Sequence, residues 1–322
     1  MQYRLPILVT HSGSFHLDDA FAYVVLRLAL DLHKRGGDHT LVRTRDVAVI
    51  TAADIVWDVG TTYDPAARRF DHHQRGAPTR QDRLPYSAAG LVWRHLGETA
   101  VRAVLDADAA DLAPAIATEI DREVVRRIDE IDNGVGPPGD SLSLSAIVED
   151  FNPAWDSPDI GNGAAEDAAF LRAADVVEAV LRRRVSAVRA RLAADAVVLA
   201  AHDRSADPRI LELDRKLPWQ QPVFTRELPV LYAVYPVPSG NWMVDTMPVG
   251  PGSFEQRLPL PATWAGLGNA ELAAACGVPD AAFVHTRRFV GAARSRHGAM
   301  EMALRAVGMD HGSIADKESG SD

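Results

Sequence analysis

The run Phe70-Asp71-His72-His73-Gln74 sets a carboxylate directly before two adjacent imidazoles. A neutral imidazole nitrogen is a common metal donor, and a neighbouring carboxylate orients the ring or balances a bound cation. Adjacent side chains of an extended chain point to opposite sides, so a tandem pair lets one ring ligate while the other faces a substrate. Taken alone, the tripeptide is equally readable as a polar turn with two solvated histidines. A second set follows the apolar run Pro6-Ile-Leu-Val-Thr10, where His11, His16 and Asp18 are spaced H-x4-H-x-D around Gly13. Here the competing account is a helix-capping aspartate with two incidental loop histidines. Asp58 ends the apolar segment Ala53-Asp-Ile-Val-Trp57, and a carboxylate there is costly to bury without a cationic partner. An aspartate that simply opens a turn before Gly60 is the alternative. Asp132 closes the helix end Asp129-Glu-Ile-Asp132, where negative charge opposes the helix dipole; either a function or a solvated acidic end accounts for it.

These residues need elements to bring them together. A strand over 6–10, a loop and a helix over 20–32 form a unit that delivers loop side chains to the carboxyl edge of a parallel sheet, where open α/β folds hold ligands. Further strands are predicted at 40–44 and 53–57, with a hairpin over 63–70. Ser87 is expected to cap a helix that Gly97 stops. Ile116, Ile120, Val124, Ile128 and Ile131 form one apolar stripe on a helix running from Pro114 to Asp132. Helices over 141–150 and 164–194 follow. Past 200–207 the pattern changes to strands at 209–213, 230–235, 242–246 and 282–285, with helices at 269–276 and 297–307, which predicts a smaller α+β domain. The expected organisation is an α/β catalytic domain over 1–200 including the long connecting helix, a C-terminal substrate-binding domain over 201–308, and a disordered tail over 309–322.

The 322 residues exceed the size at which one core usually stops growing. A formal net charge of -10 argues against a broad, sequence-independent grip on nucleic acid, while leaving room for a locally basic cleft. Cys276 is the single cysteine, which excludes intramolecular disulfides and cysteine-based zinc sites and suits a reducing compartment. Residues 1–9 are too short and too polar for a secretory signal, and no stretch is long and charge-free enough to span a bilayer. The expectation is a cytoplasmic protein with no membrane partner; a homodimer is compatible with the sequence.

Together His11, His16, Asp18, Asp58, His72 and Asp132 supply mixed imidazole and carboxylate donors. That mixture suits a pair of divalent ions, Mn2+ first, with Zn2+, Co2+ or Fe2+ as further candidates and Mg2+ less favoured because it prefers oxygen ligands. Two such ions about 3.5–4 Å apart can activate water and neutralise charge on a transferring phosphoryl group. Arg43, Arg45, Arg75, Arg257 and Arg288 are candidates to hold phosphates bidentately.

The motifs Thr10-His-Ser-Gly-Ser-Phe-His-Leu-Asp-Asp19, Asp54-Ile-Val-Trp-Asp-Val-Gly60, Arg69-Phe-Asp-His-His-Gln74, Ser87-Ala-Ala-Gly-Leu91, Ile131-Asp-Asn-Gly134, Asn152-Pro-Ala-Trp155 and Phe283-Val-His285 resemble the Myg1 exonuclease family. That family is also called UPF0160 or "metal-dependent protein hydrolase". It is related to the DHH phosphoesterases, which include RecJ nucleases and family II pyrophosphatases. The resemblance spans nearly the whole chain. It implies a DHH-type parallel-sheet domain with helices on both faces, and a smaller α+β domain across a cleft. It also implies Mn2+-dependent phosphodiester hydrolysis, with 3′-to-5′ cleavage of RNA or short oligonucleotides.

Carried over onto this chain, the resemblance has His11, His16 and Asp58 hold one metal and Asp18, Asp58, His72 and Asp132 the other, with Asp58 bridging. His73 contacts the scissile phosphate and Asp71 supports it from behind. Arg257, His285 and Arg288 are the expected substrate contacts of the second domain. His16 stands where the wider superfamily has an aspartate, and Phe289-Val-Gly291-Ala292 lacks the family's Gly-Gly pair. Two alternatives remain: hydrolysis of a small phosphoanhydride, dinucleotide or other small phosphorylated molecule, and a metal-binding interaction protein without turnover. Peptide hydrolysis finds no H-E-x-x-H constellation to support it.

Overall fold

Short apolar stretches form the first sheet: β1 (Ile7–Thr10), β2 (Thr40–Arg43), β3 (Ile55–Trp57), β4 (Tyr63–Asp64) and β5 (Arg69–Phe70). In this computed structural model, which describes residues 4–33, 37–137 and 139–318 (310–318 as backbone alone), the strand order is β2-β1-β3-β5-β4. The first four strands in that order are parallel, and β4 pairs antiparallel with β5 as the expected hairpin. The strand period of two sorts the sheet's faces. Val9 and Val56 pack with Val49 and Ile50 of α2 (Val47–Ala52) on one face. On the other, Trp57 donates its indole N–H to the Asp19 carbonyl at 3.0 Å and stacks on Tyr23 of α1 (Leu17–Ala29). Helices therefore lie on both faces. Each of β1, β3 and β5 is followed at its carboxyl end by a polar candidate, His11, Asp58 and Asp71 respectively.

Helix α1 is buried from Leu17 through Leu28, which makes it the central helix of its domain. Its last-turn Arg27 pairs with Glu178 of α7 (Gly163–Asp203), and both side chains are buried. Ser87 caps α3 (Ala88–Val104) by accepting from the Gly90 amide at 3.3 Å. Gly97 does not stop this helix. It lies inside α3, where a Cβ would come within 2.6 Å of the Trp93 ring, so the glycine serves packing. The helix expected from Pro114 to Asp132 is realised as α4 (Ala113–Ile120), a π turn over Asp121–Val125 and α5 (Arg126–Asp132). A π turn inserts a residue into the helical ladder and rephases the side chains after it. α6 (Leu144–Glu149) completes the set and is capped by Ser143.

The chain divides into two compact units, Met1–Arg189 and Ala190–Asp322, with the division inside α7. The second contains β6 (Ile210–Glu212), α8 (Gln220–Thr225), β7 (Tyr232–Pro236), β8 (Trp242–Thr246), α9 (Asn269–Cys276), β9 (Ala281–Val284), β10 (Val290–Ala293) and α10 (Arg296–Glu318). Its sheet has the order β6-β7-β8-β10-β9, with β6 parallel to β7 and the other pairs antiparallel. Tyr232, Val234 and Val244 face Met302, Ala303 and Ala306 of α10. Ala233 and Tyr235 look the other way, toward Val198 and Ala201 at the end of α7. Strand β10 is unannounced by its Val-Gly-Ala-Ala sequence and takes its order from strands pairing on both sides. Much of the segment expected as a tail is helical backbone of α10; residues 319–322 lie outside those described. Among the described residues no helix is long and apolar enough to cross a membrane.

Candidate metal centre

The loops after β1, β3 and β5, the start of α1 and the end of α5 converge. Three overlapping groups each place one ligand atom per residue within 4.8 Å of the others: His11, Asp19 and Asp58; Asp18, His72 and Asp132; and Asp58, Asp71, His72 and His73. His11 Nε2 lies 2.7 Å from Asp19 Oδ2 and 3.2 Å from Asp58 Oδ2. His72 Nε2 lies 3.2 Å from Asp58 Oδ1 and 3.5 Å from Asp132 Oδ2. Asp58 thus stands between the two histidines, one carboxylate oxygen toward each.

Asp58 reaches that position with φ of 55°, a left-handed conformation that costs a non-glycine residue about 1–3 kcal/mol. Aspartate is among the few L-residues that visit it. Gly60 follows with φ of 94°, and the chain reverses into the β4–β5 hairpin. Asp71, fully buried, accepts from the Thr61, His72 and His73 amides and from His73 Nδ1 at 2.7 Å. Its carboxylate therefore builds the turn and fixes the His73 ring, whose side chain is 58% exposed and whose Nδ1 lies 3.7 Å from Asp58 Oδ1. On the first loop, Asn152 accepts from the Phe15 amide and donates to the Phe15 carbonyl, both at 2.9 Å.

The electrostatics are unbalanced toward negative charge. Burial, followed by the Asp58, Asp132 and Asp19 carboxylates, pushes Asp18 well above the usual carboxylate range. Burial likewise raises Asp19 and Asp132. Burial opposes ionisation of Asp58 as well, yet the His11 and His72 imidazoles beside it hold it below that range. His11 is pushed up to about 10: burial works against its charge, and Asp19 and Asp58 outweigh burial. Both carboxylate oxygens of Asp18, and Oδ1 of Asp58, are buried without a hydrogen bond. Such oxygens need a partner, and mixed imidazole and carboxylate donors at these spacings suit a divalent cation. The residues present fit a metal ion.

His16, expected beside His11, caps α1 with its amide bonded to Asp19 at 3.2 Å, and its ring centroid sits 6.3 Å from that of His11. It lines a cavity of about 160 Å3 with Asp18, Asp132, Ser145 and Glu149. Asp19 instead meets His11. The Asp18-Asp19 pair is the signal in the sequence, and Asp19 does both jobs: Oδ1 accepts from the His16 amide and Oδ2 meets His11. Asp129, one turn before Asp132, accepts from Arg80, from the Ser87 amide and from the Ser87 hydroxyl; that network holds the end of α5.

The arginines separate. Arg45 reaches 3.4 Å from His11 Nδ1, and Arg75 is exposed two residues beyond His73. Arg43 is buried, donates to the Gly13 carbonyl and packs over the Phe15 and Phe170 rings. In the second unit Arg257 is engaged with the Leu228 and Val230 carbonyls, and Arg288 with Leu260. His285 lines an open cavity there.

The family model described as "Uncharacterised protein family (UPF0160)", MYG1 exonuclease, matches residues 7–307. The chain belongs to the MYG1 exonuclease family. It is 32% identical to the human MYG1 exonuclease over 92% of this chain and 85% of that protein. A Caenorhabditis elegans MYG1 protein is 32% identical, covering 94% of this chain and 95% of that one. For a MYG1 protein of Saccharomyces cerevisiae the figures are 30%, 93% and 95%. No solved structure matches the chain. The family match takes in every residue of the convergence described above.

Proposed function

We propose that the chain is a divalent-metal-dependent phosphodiester hydrolase of DHH type, a 3′-to-5′ exonuclease acting on RNA or short oligonucleotides. The observation that carries this reading is the convergence of His11, Asp18, Asp19, Asp58, His72 and Asp132 with carboxylate oxygens left buried and unpartnered. Family membership beside relatives named exonuclease supports nucleic acid as the substrate class. His11, Asp19 and Asp58 would hold one ion and Asp18, His72 and Asp132 a second, with Mn2+ the favoured metal. When bound, such a pair supplies an activated water and neutralises phosphoryl charge.

The chain's own side chains do the rest. His73 Nδ1–H donates to Asp71, and in the ring protonated on both nitrogens Nε2–H is left to donate to a phosphate oxygen. Arg45, at the His11 edge, offers a planar pair of donors to the same charge. Asp129, Arg80 and Asn152 position the elements that carry Asp132 and the first loop.

The test is a Mn2+-supplemented assay on 5′-labelled short RNA and DNA, with pyrophosphate and dinucleotides alongside. Shortening from the 3′ end is expected. Cleavage confined to pyrophosphate or dinucleotides replaces the oligonucleotide substrate, and no cleavage by protein shown to hold metal overturns the reading.

A further inference from the structure

The cavity that His285 lines in the second unit is built from a set of side chains separate from the metal centre. On one face of its sheet, residues two apart along β7, β8 and β10 point the same way, and Tyr235 pairs with Met243 while Asp245 pairs with Val290. These side chains floor an open cavity of about 1090 Å3, just above the usual range of small-molecule sites. Its walls are chemically uneven. Phe289 and His285 pack together with ring centroids 4.5 Å apart, and Phe289 is 41% exposed. Phe254, on the facing loop, is 94% exposed. Lys216 and Arg287, both exposed, lie on the same lining. Asp245, half-buried at the floor, gives Oδ2 to the Tyr235 hydroxyl and has its other oxygen left for a ligand.

Aromatic faces, an acceptor at the floor and two cations at the rim are complementary to one kind of molecule. Bases stack on exposed aromatic rings irrespective of sequence. A carboxylate accepts from an exocyclic amino group, as Asp and Glu do from cytosine N4. Lys and Arg take phosphate.

We propose that this cavity binds a nucleotide, its base stacked against Phe289 and Phe254, its exocyclic amino group donated to Asp245, and its phosphate held by Lys216 and Arg287. The proposal deepens the nuclease reading by assigning a base-binding site, but it stands on a separate set of side chains. Amino-bearing bases are preferred: CMP and AMP bind more tightly than UMP, which has no exocyclic amino group.

Calorimetric or saturation-transfer titrations of the full chain in EDTA, with CMP, AMP, UMP, ribose 5-phosphate and inorganic phosphate, test this without any metal. A free nucleotide and the terminal residue of an oligonucleotide present the same chemistry, so a short oligonucleotide ending in C is titrated in parallel; tighter binding of the oligonucleotide than of CMP identifies the strand end as the source. Phe289→Ala and the surface variant Phe254→Ala should each weaken CMP binding about tenfold or more, with melting curves unchanged for Phe254→Ala. Asp245→Asn, which keeps an acceptor for Tyr235, should narrow the CMP-over-UMP preference. Ribose 5-phosphate binding as tightly as CMP, indifference of CMP binding to both phenylalanine variants, or no binding of any nucleotide at millimolar concentration would each overturn the proposal. Because the titrations exclude metal and catalysis, their failure leaves the hydrolase reading intact, and loss of hydrolysis in the earlier assay leaves this one intact.

Discussion

Asp18→Asn should make the metal-free protein more stable and the metal-loaded protein no better than the metal-free one. Asp18 is 1% exposed, neither oxygen accepts a hydrogen bond, and Asp58, Asp132 and Asp19 surround it. A buried polar group in that state costs about 1–3 kcal/mol, more when charged. Asparagine keeps the volume and replaces one repelling oxygen with an N–H donor that a neighbouring carboxylate can accept. A gain of about 1–3 kcal/mol corresponds to about 2–12 °C in the melting temperature for a unit of this size. A ligand at a hundredfold excess over its dissociation constant stabilises the native state by about 2.7 kcal/mol, and the variant should forfeit most of that increment. Thermal melts of both proteins in EDTA and in MnCl2 at one neutral pH give all four values. A variant that melts lower in EDTA, or that retains the full Mn2+ increment, would refute the assignment of Asp18 as a ligand.

Replacing His72, which lies within reach of both Asp58 and Asp132, with alanine should abolish bound Mn2+ and phosphoesterase activity together while circular dichroism stays native; unchanged activity removes the proposed chemistry. Arg80→Ala strands the Asp129 carboxylate, whose side chain is 0% exposed. Breaking a buried pair this way costs about 3–5 kcal/mol, with the Ser87 donors keeping it toward the low end, so urea melts should show the loss and Mn2+ titration a weaker site as α5 loosens. A cost under about 1 kcal/mol would mean that Arg80 is not what compensates Asp129. In the second unit, burial raises the Asp245 carboxyl above its ordinary value against the opposing effects of Tyr235 and Lys216. The folded state therefore holds that proton more tightly than the unfolded one. The resulting stability is present at acid pH and declines as pH rises from about 4, the unfolded value, through the raised folded value. Asp245→Asn should flatten that decline in urea melts taken across the range, and an unaltered slope would assign it to other groups.

Much of this was legible in the chain because the relevant signals are local. A strand ending abruptly at a polar residue is visible in Thr10-His11, Trp57-Asp58 and Phe70-Asp71, and all three mark carboxyl ends of parallel strands. The long isoleucine stripe announced the helix that carries Asp132. What was not legible depends on distant partners. Gly97 reads as a stop until the Trp93 ring is seen lying against it. Strand β10 reads as a coil of small residues until strands flank it. The place of Asp19 beside His11 was hidden for a geometrical reason: the first turn of α1 aims Asp19 back at His11, while His16, at the cap, faces the cavity beside Asp132. Arg43 and Arg257 look like free cations in sequence, and only the fold reveals the carbonyls that claim them.

The distribution of electrostatic cost separates function from accident. Elsewhere in the first unit, buried charge is met by charge: Arg27 by Glu178, and Asp129 by Arg80 with two Ser87 donors. Among the described residues, the buried carboxylate oxygens without a hydrogen bond belong to Asp18, Asp19, Asp58 and Asp195, those of Asp19 and Asp58 facing only the His11 and His72 imidazoles. Three of those four residues crowd one strand edge, and one of the three, Asp58, also bears the left-handed backbone there. Incidental defects of packing would scatter over the molecule, since each is an independent loss of stability and nothing favours their coincidence. An excess of buried negative charge gathered at a single point persists only if something binds there and offsets it. Divalent metal binding, by His11, Asp19 and Asp58 on one side and by Asp18, His72 and Asp132 on the other, is the simplest event able to do so.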